Sequence, residues 1–485
     1  MRLPAPLAAG ALAAILTGLC IYVAVAGAEQ PLVSAGLFAI LATMAAPPML
    51  AVMKDRLNLA EPVYVVVATF TIYCFIGPLY SAFFGSFLLP FTPPPALIFT
   101  GLLLSALALT AFYFGYYSRF GGQLAAAAPR ARSYQPGRAR LLAILMEISG
   151  IALFAAWLHG LGIPLMALNA LGSDYDYGSK TRMAETVSNG YLHLGDGFIM
   201  AAALLLASFR PKSSWRRVVD VNTILVGSWL VVTAVRWRML VFFGGLLLMH
   251  YLKKGRRPGL LIVTALALVF AVTMPLIGYY RSISGYGKTA MADGATYTRS
   301  AMSSLSIFDT FLAVIDAVPD RIPYQKGNIV LDAIYYPIPR SLWPEKPFSK
   351  ELEVIWAVTG GRDLGYAAPL FGELYIQFGI PGIIAGMFAL GVVVRALYMY
   401  WRLAPGDRGA QTLLCCGSPF LVTVIDRGYI LQHLTTIFNV YLPILIVLWL
   451  SARTRRPGPV RARFSSTARG ALRGAFRPAA GAVHL

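Results

Sequence analysis

The chain alternates apolar runs of about twenty residues with short polar connections, and a run of that length crosses the ~30 Å hydrocarbon layer of a bilayer as an α-helix. Most runs are apolar on every face, which separates them from the one-sided stripe of a soluble amphipathic helix. The pattern predicts about twelve spans, at roughly Ala5–Gly27, Val33–Met53, Pro62–Phe84, Ala96–Tyr117, Leu141–Ile163, Tyr191–Phe209, Val218–Val235, Met239–Tyr251, Gly259–Tyr280, Ile376–Arg402, Gln411–Ile425 and Tyr429–Leu450. Val218–Val235 and Met239–Tyr251 are short for spans. Basic clusters lie on both sides of the pair, so both crossings are required.

Charge orients these spans. Alternate connections are basic: Lys54 and Arg56; Arg119, Arg130, Arg132, Arg138 and Arg140; Arg210, Lys212, Arg216 and Arg217; Lys253, Lys254, Arg256 and Arg257; Arg402 and Arg408; and the tail from Arg453 to Arg477. Asp55, Asp220 and Asp407 are the acids opposing them. An excess of Lys and Arg in short loops marks the cytoplasmic side, which predicts that both termini are cytoplasmic. The Gly/Ala/Arg/Ser tail has too little apolar content to fold and is expected to lie disordered against anionic lipid. The net charge of +20 is thereby explained without nucleic acid.

Composition agrees: 58% of the 485 residues are hydrophobic, 13% are charged, and the mean hydropathy is +0.66. These values lie outside the range of soluble domains. The first run, Leu7–Ala26, lacks a small-residue cleavage site leading into a polar mature domain, so it is expected to be a signal anchor. Cys20, Cys74, Cys415 and Cys416 all fall inside apolar runs and look like small buried hydrophobes. No metal-site spacing is present, and neither a metal nor a cofactor is expected.

The predicted fold class is therefore all-α, a polytopic membrane protein of about twelve transmembrane helices with a large, mostly helical extracytoplasmic loop. Residues 1–280 would hold spans one to nine with an outer loop at 164–190. Residues 281–370 would form the large loop, 371–451 the last three spans, and 452–485 the basic cytoplasmic tail. The large loop is close to charge balance and rich in Pro, Tyr and Trp, which predicts a folded roof over an active site at the membrane surface.

Candidate chemistry gathers at that outer side. Arg236-Trp237-Arg238 sits at a tight turn between two short runs, where guanidinium groups must be paired or hydrated. Arginine forks match phosphate oxygens, so one reading is a clamp on a lipid-linked pyrophosphate; the other is snorkelling beside an aromatic belt residue. Arg281 and Arg299, just after the next outward span, favour the phosphate site. Tyr324, Tyr336 and Trp343 offer flat faces on which sugars stack, or else form the loop's own small core. Among the carboxylates, Glu373 at the mouth of a span could orient or deprotonate an acceptor hydroxyl; a structural pairing with Arg340 or Arg362 serves the sequence equally well. His193 and His433 are weaker candidates, as lone packing histidines. Nucleotide-binding loops, zinc-protease motifs and hydrolase elbows are missing from the sequence.

Several of these residues form a recognisable set. Arg236–Arg238, the stretch Pro339-Arg340-Ser341-Leu342-Trp343-Pro344-Glu345-Lys346-Pro347, and Phe371-Gly372-Glu373-Leu374-Tyr375 followed by Phe378-Gly379 and Pro381-Gly382 resemble bacterial O-antigen polymerases and related oligosaccharide repeat-unit polymerases. The resemblance implies a membrane glycosyltransferase of the GT-C type in the bacterial inner membrane, acting on the periplasmic side. Donor and acceptor would both be undecaprenyl-pyrophosphate-linked glycans, and a chain-length regulator protein would be a partner. Carried onto this chain, Arg236, Arg238, Arg281 and Arg299 would bind pyrophosphate, Arg340 and Glu373 would be catalytic, and Tyr324, Tyr336 and Trp343 would hold glycan. An Arg-x10-Gly loop motif found in some members is not evident. An O-antigen ligase-like transferase is the nearest rival. A lipid-linked sugar transporter would want charged groups deep in the membrane, where Glu147 is the main one placed by sequence. A mannosyltransferase using a lipid monophosphate sugar would want acids in a long first outer loop, which here holds only Glu29.

Overall fold

The computed structural model describes residues 5–26, 29–53, 58, 60–84, 92–130, 133–160, 188–211, 215–232, 236–255, 307–335, 343, 345–346, 349–359 and 367–452. Every regular element among them is a helix; the lone β-type contact is an antiparallel bridge between Tyr134 and Ala452. The first half comprises α1 (Ala5–Ala26), α2 (Pro31–Met53), α3 (Pro62–Phe70), which passes through a π-helical turn at Thr71–Ile76 into α4 (Gly77–Phe84), α5 (Pro95–Tyr117) and the short α6 (Arg119–Ala127). Then come α7 (Pro136–Gly160), α8 (Ser188–Ser208), α9 (Trp215–Val232) and α10 (Arg236–Lys253). The second half holds three short helices, α11 (Ile307–Ala317), α12 (Asn328–Tyr335) and α13 (Lys350–Thr359). It ends with α14 (Leu370–Arg402), α15 (Arg408–Asp426) and α16 (Ile430–Thr436), which continues through a π-helical turn at Ile437–Tyr441 into α17 (Leu442–Ser451).

Seven helices among the described residues are long and apolar enough to cross a membrane: Pro31–Met53, Pro62–Ala82, Pro95–Tyr117, Pro136–Ala156, Leu370–Arg402, Arg408–Asp426 and His433–Ser451. Each falls on a predicted span. Further helices stand at four other predicted positions, α1, α8, α9 and α10; Arg216, Arg217 and Asp220 dilute the apolar character of α9. The predicted span at 259–280, the outer loop over 164–187 and the tail from 453 onward lie outside the described residues.

Two apolar cores hold the helices together. One joins α1 to α5 with α11, α13, α14 and the end of α15; the other joins α7 to α10 with α15, the π-helical turn at Ile437–Tyr441 and α17. The predicted polar roof differs from the structure at α11. Its apolar positions recur as Ile307, Phe308, Phe311, Leu312 and Val314, all buried, and Phe311 stacks edge-on against Phe371 of α14 at 4.8 Å. This part of the segment is woven into the helical core, because five large side chains would otherwise face water.

Candidate active site at one end of the bundle

The site begins with a break in α14. At 33 residues α14 would be about 50 Å long if straight, far more than a bilayer needs. It bends at Gly379, whose φ of 65° favours glycine, and Pro381 follows inside the helix. Proline has no N–H, so the Gln377 carbonyl loses its intrahelical donor. The loop before α12 supplies the missing donors: Gln325 N–H donates to the Ile376 carbonyl and Lys326 N–H to the Gln377 carbonyl, both at 2.9 Å. Gly327 N–H donates to Gln377 Oε1 at 3.0 Å. The break thereby fastens the 325–327 loop to the bundle and leaves Leu370–Phe378 as a short helix capping one end.

Glu373 lies on that short helix and is fully buried. Its Oε2 accepts a hydrogen bond from Ile430 N–H at 3.1 Å. Gly428 presses against its other side: a Cβ built there would stand 2.5 Å from Glu373 Cδ, so any larger residue would displace the carboxyl. Gly428 N–H donates to the Ala368 carbonyl at 2.8 Å, which closes the loop over the carboxyl.

A second carboxyl meets Glu373. Glu351, in the first turn of α13, is 1% exposed and hydrogen-bonds side chain to side chain with it. Neither Oε1 atom finds an N–H or O–H donor among the other described groups. Two carboxylates at this range cannot both be charged, so one proton is shared between them. Burial, aided by the nearby Asp332, pushes Glu351 up to about 7, while its hydrogen bond with Glu373 pulls the other way. Tyr429, next in the loop, is raised by burial and by the negative character of Glu351 and Glu373, which it faces.

The surrounding loop is held from the other core. The His433 ring bonds the Arg427 carbonyl and packs edge-on against Phe420, at 5.6 Å between centroids. Phe420 in turn faces Trp237, at 6.3 Å. Behind Trp237, Arg238 forms an ion pair with Asp196 of α8; the two side chains are 2% and 0% exposed. Trp229 Nε1 donates to the other oxygen of Asp196 at 3.4 Å.

The sequence-predicted residues divide accordingly. Glu373 and Arg238 both lie at this end of the bundle, joined through Trp237, Phe420, His433 and the 427–428 loop. Arg238 spends its guanidinium on Asp196, a partner the sequence analysis did not assign to it. Tyr324 packs against Tyr375, at 5.9 Å, and over Gly379; Trp343 packs against Tyr335, at 5.6 Å. Trp343 therefore has a partner within its own segment, whereas Tyr324 packs on the broken helix α14. The Arg236 side chain, Arg281, Arg299, Tyr336 and Arg340 lie outside the described residues. Glu351 is the residue that sequence reasoning missed. Its signal was present: Glu351, Val354, Ile355 and Thr359 share the buried face of α13, so an acid occupies a position on a helical apolar stripe.

What this arrangement can do is hold and pass one proton in a place shielded from water. No curated protein and no solved structure matches the chain. A family model described as O-antigen polysaccharide polymerase Wzy matches residues 11–454, nearly the whole sequence. A helical membrane architecture and a match of that extent lead to one assignment: the chain belongs to the O-antigen polysaccharide polymerase Wzy family.

Proposed function

We propose that the protein joins undecaprenyl-pyrophosphate-linked oligosaccharide repeat units into O-antigen, capsule or exopolysaccharide chains, as a GT-C-type glycosyltransferase at the periplasmic face of the inner membrane. The observation that carries the site assignment is the buried Glu351–Glu373 pair at one end of a chain of this family. The alternation of basic connections supports about twelve spans, cytoplasmic termini and an outward-facing carboxyl pair.

In the proposed step, a hydroxyl at the non-reducing end of the acceptor attacks the donor's anomeric carbon. The new C–O bond forms as the bond to pyrophosphate breaks, and the hydroxyl proton passes to the carboxyl pair. Pyrophosphate departs with its lipid, so the reaction needs cations where negative charge accumulates. Arg236, Arg281, Arg299 and Arg340 are assigned to that charge, with Arg340 nearest the reacting centre. Arg238 adds a guanidinium to the same end, within its pair with Asp196. Tyr324, Tyr336 and Trp343 are assigned to the glycan, and a chain-length regulator is the proposed protein partner.

The test is a deletion strain complemented with Glu373→Gln or Arg340→Lys, followed by gel analysis of lipid-linked glycans. Lysine keeps the charge of Arg340 and loses its bidentate fork. Accumulation of single repeats in both variants, at normal protein levels, is the expected result. Wild-type chain lengths would overturn the site assignment. Accumulation of already polymerised lipid-linked glycan would identify a ligase instead.

A further inference from the structure

The opposite end of the bundle carries a cavity that the polymerase reading does not use. α15 runs from the carboxyl pair at Asp426 back to Arg408, a length of about 28 Å for its 19 residues. Around Arg408 opens a cavity of about 510 Å³, lined among others by Arg210, Arg216, Lys253, Arg408 and Gln411. These cations come from the ends of α8, α9, α10 and α15, so the fold, not local sequence, collects them.

The charge at this cavity is unbalanced. Asp220 pairs with Arg210 and lies 3.9 Å from Arg216; among the described residues that line the cavity there is no acid. Asp407 turns its carboxylate to the Gly409 and Ala410 N–H groups, where it caps α15. Lys253 donates to the Ala207 and Ser208 carbonyls at 2.7 and 3.1 Å, and an ammonium has three donors, so one remains. The Arg408 guanidinium lies over the Phe209 ring, 5.7 Å from its centroid, and lines the cavity. Trp215 and Val218, 63% and 55% exposed, stand beside Arg216 on α9, and Leu403 precedes the lining Pro405. A cationic hollow at the end of membrane-crossing helices, flanked by exposed apolar side chains, matches a phosphate group with hydrocarbon attached.

We propose that this cavity binds the phosphate group of an anionic phospholipid in the leaflet at the basic end of the bundle. The lipid would tie the ends of α8, α9, α10 and α15 together, in the manner of a ligand that binds only the folded state. The site is independent of the polymerase reading.

The experiment uses the full chain purified in detergent, with thermal unfolding followed during titration with phosphatidylglycerol, phosphatidylcholine or inorganic phosphate. Phosphatidylglycerol should raise the midpoint where phosphatidylcholine does not. At roughly a fivefold loss per removed cation, Arg216→Gln with Arg408→Gln should weaken the response by roughly 25-fold, and Arg408→Gln alone by roughly fivefold. The paired Arg→Lys variant should keep most of it, because its charge is unchanged. Equal phosphatidylglycerol responses in wild type and both Gln variants would overturn the site. Stabilisation by inorganic phosphate as strong as by phosphatidylglycerol would overturn the lipid assignment and leave free phosphate as the ligand.

Discussion

Glu351→Gln separates a shared proton from a mere buried contact. In the wild type, the Glu351 carboxyl has its affinity for a proton raised from an ordinary value of 4.5 to about 7, chiefly by burial. A carboxyl raised on folding contributes stability that is fully present below pH 4.5 and is lost as pH rises through about 7. That displacement corresponds to about 3 kcal/mol. The side chain is 1% exposed, so solvent screening takes little of it. Glutamine keeps the shape and always carries N–H donors, so it can donate to Glu373 at every pH. Thermal unfolding in detergent or nanodiscs, followed by tryptophan fluorescence from pH 4.5 to 8, should show the wild type losing about 3 kcal/mol more than the variant, the share that Glu351 itself contributes. Glu353→Gln is the control: Glu353 is 41% exposed, pairs with its helix neighbour Lys350, and should leave the profile unchanged. Parallel profiles for wild type and Glu351→Gln would refute the shared proton.

Other outcomes follow from the same geometry. Gly428→Ala places a methyl group 2.5 Å from Glu373 Cδ, and should cost about 1–3 kcal/mol by overpacking while shortening glycan chains, read by unfolding and by gel. Asp196→Asn removes the buried carboxylate paired with Arg238, so the unfolding midpoint should fall by the equivalent of about 3–5 kcal/mol. Asp196→Asn combined with Arg238→Met should recover much of that loss, since both members of the buried ion pair are then neutral. Pro381→Ala restores an N–H to the α14 break; competition for the Gln377 carbonyl should loosen the 325–327 loop, seen as faster amide exchange at Lys326.

Hydropathy alone located the helices because lipid imposes one requirement, the internal satisfaction of every backbone polar group over a fixed thickness. The same logic fails at α11. Its buried face, Phe308, Phe311 and Leu312, is too short to read as a span and sits in a polar segment, so its place in the core depends on tertiary contacts with α5 and α14. The Phe378-Gly379 and Pro381-Gly382 pairs were visible as a motif. Their purpose was not, because the carbonyls they free are answered by Gln325 and Lys326, about fifty residues earlier. The Arg238 partner was equally hidden, since Asp196 stands on another helix and no local periodicity links them.

These hidden contacts share a physical cause. A charge inside a membrane-crossing bundle costs several kcal/mol unless paired, so each one must find a partner wherever the fold permits. At this end of the bundle two solutions appear side by side. Arg238 and Asp196 neutralise each other as opposite charges. Glu351 and Glu373, being alike, can only neutralise each other by holding a proton. The first arrangement is neutral with both groups ionised. The second can give up or accept its proton when a nearby group changes its own charge, and for that reason the proposed proton transfer is assigned to the carboxyl pair rather than to the charge-paired arginine.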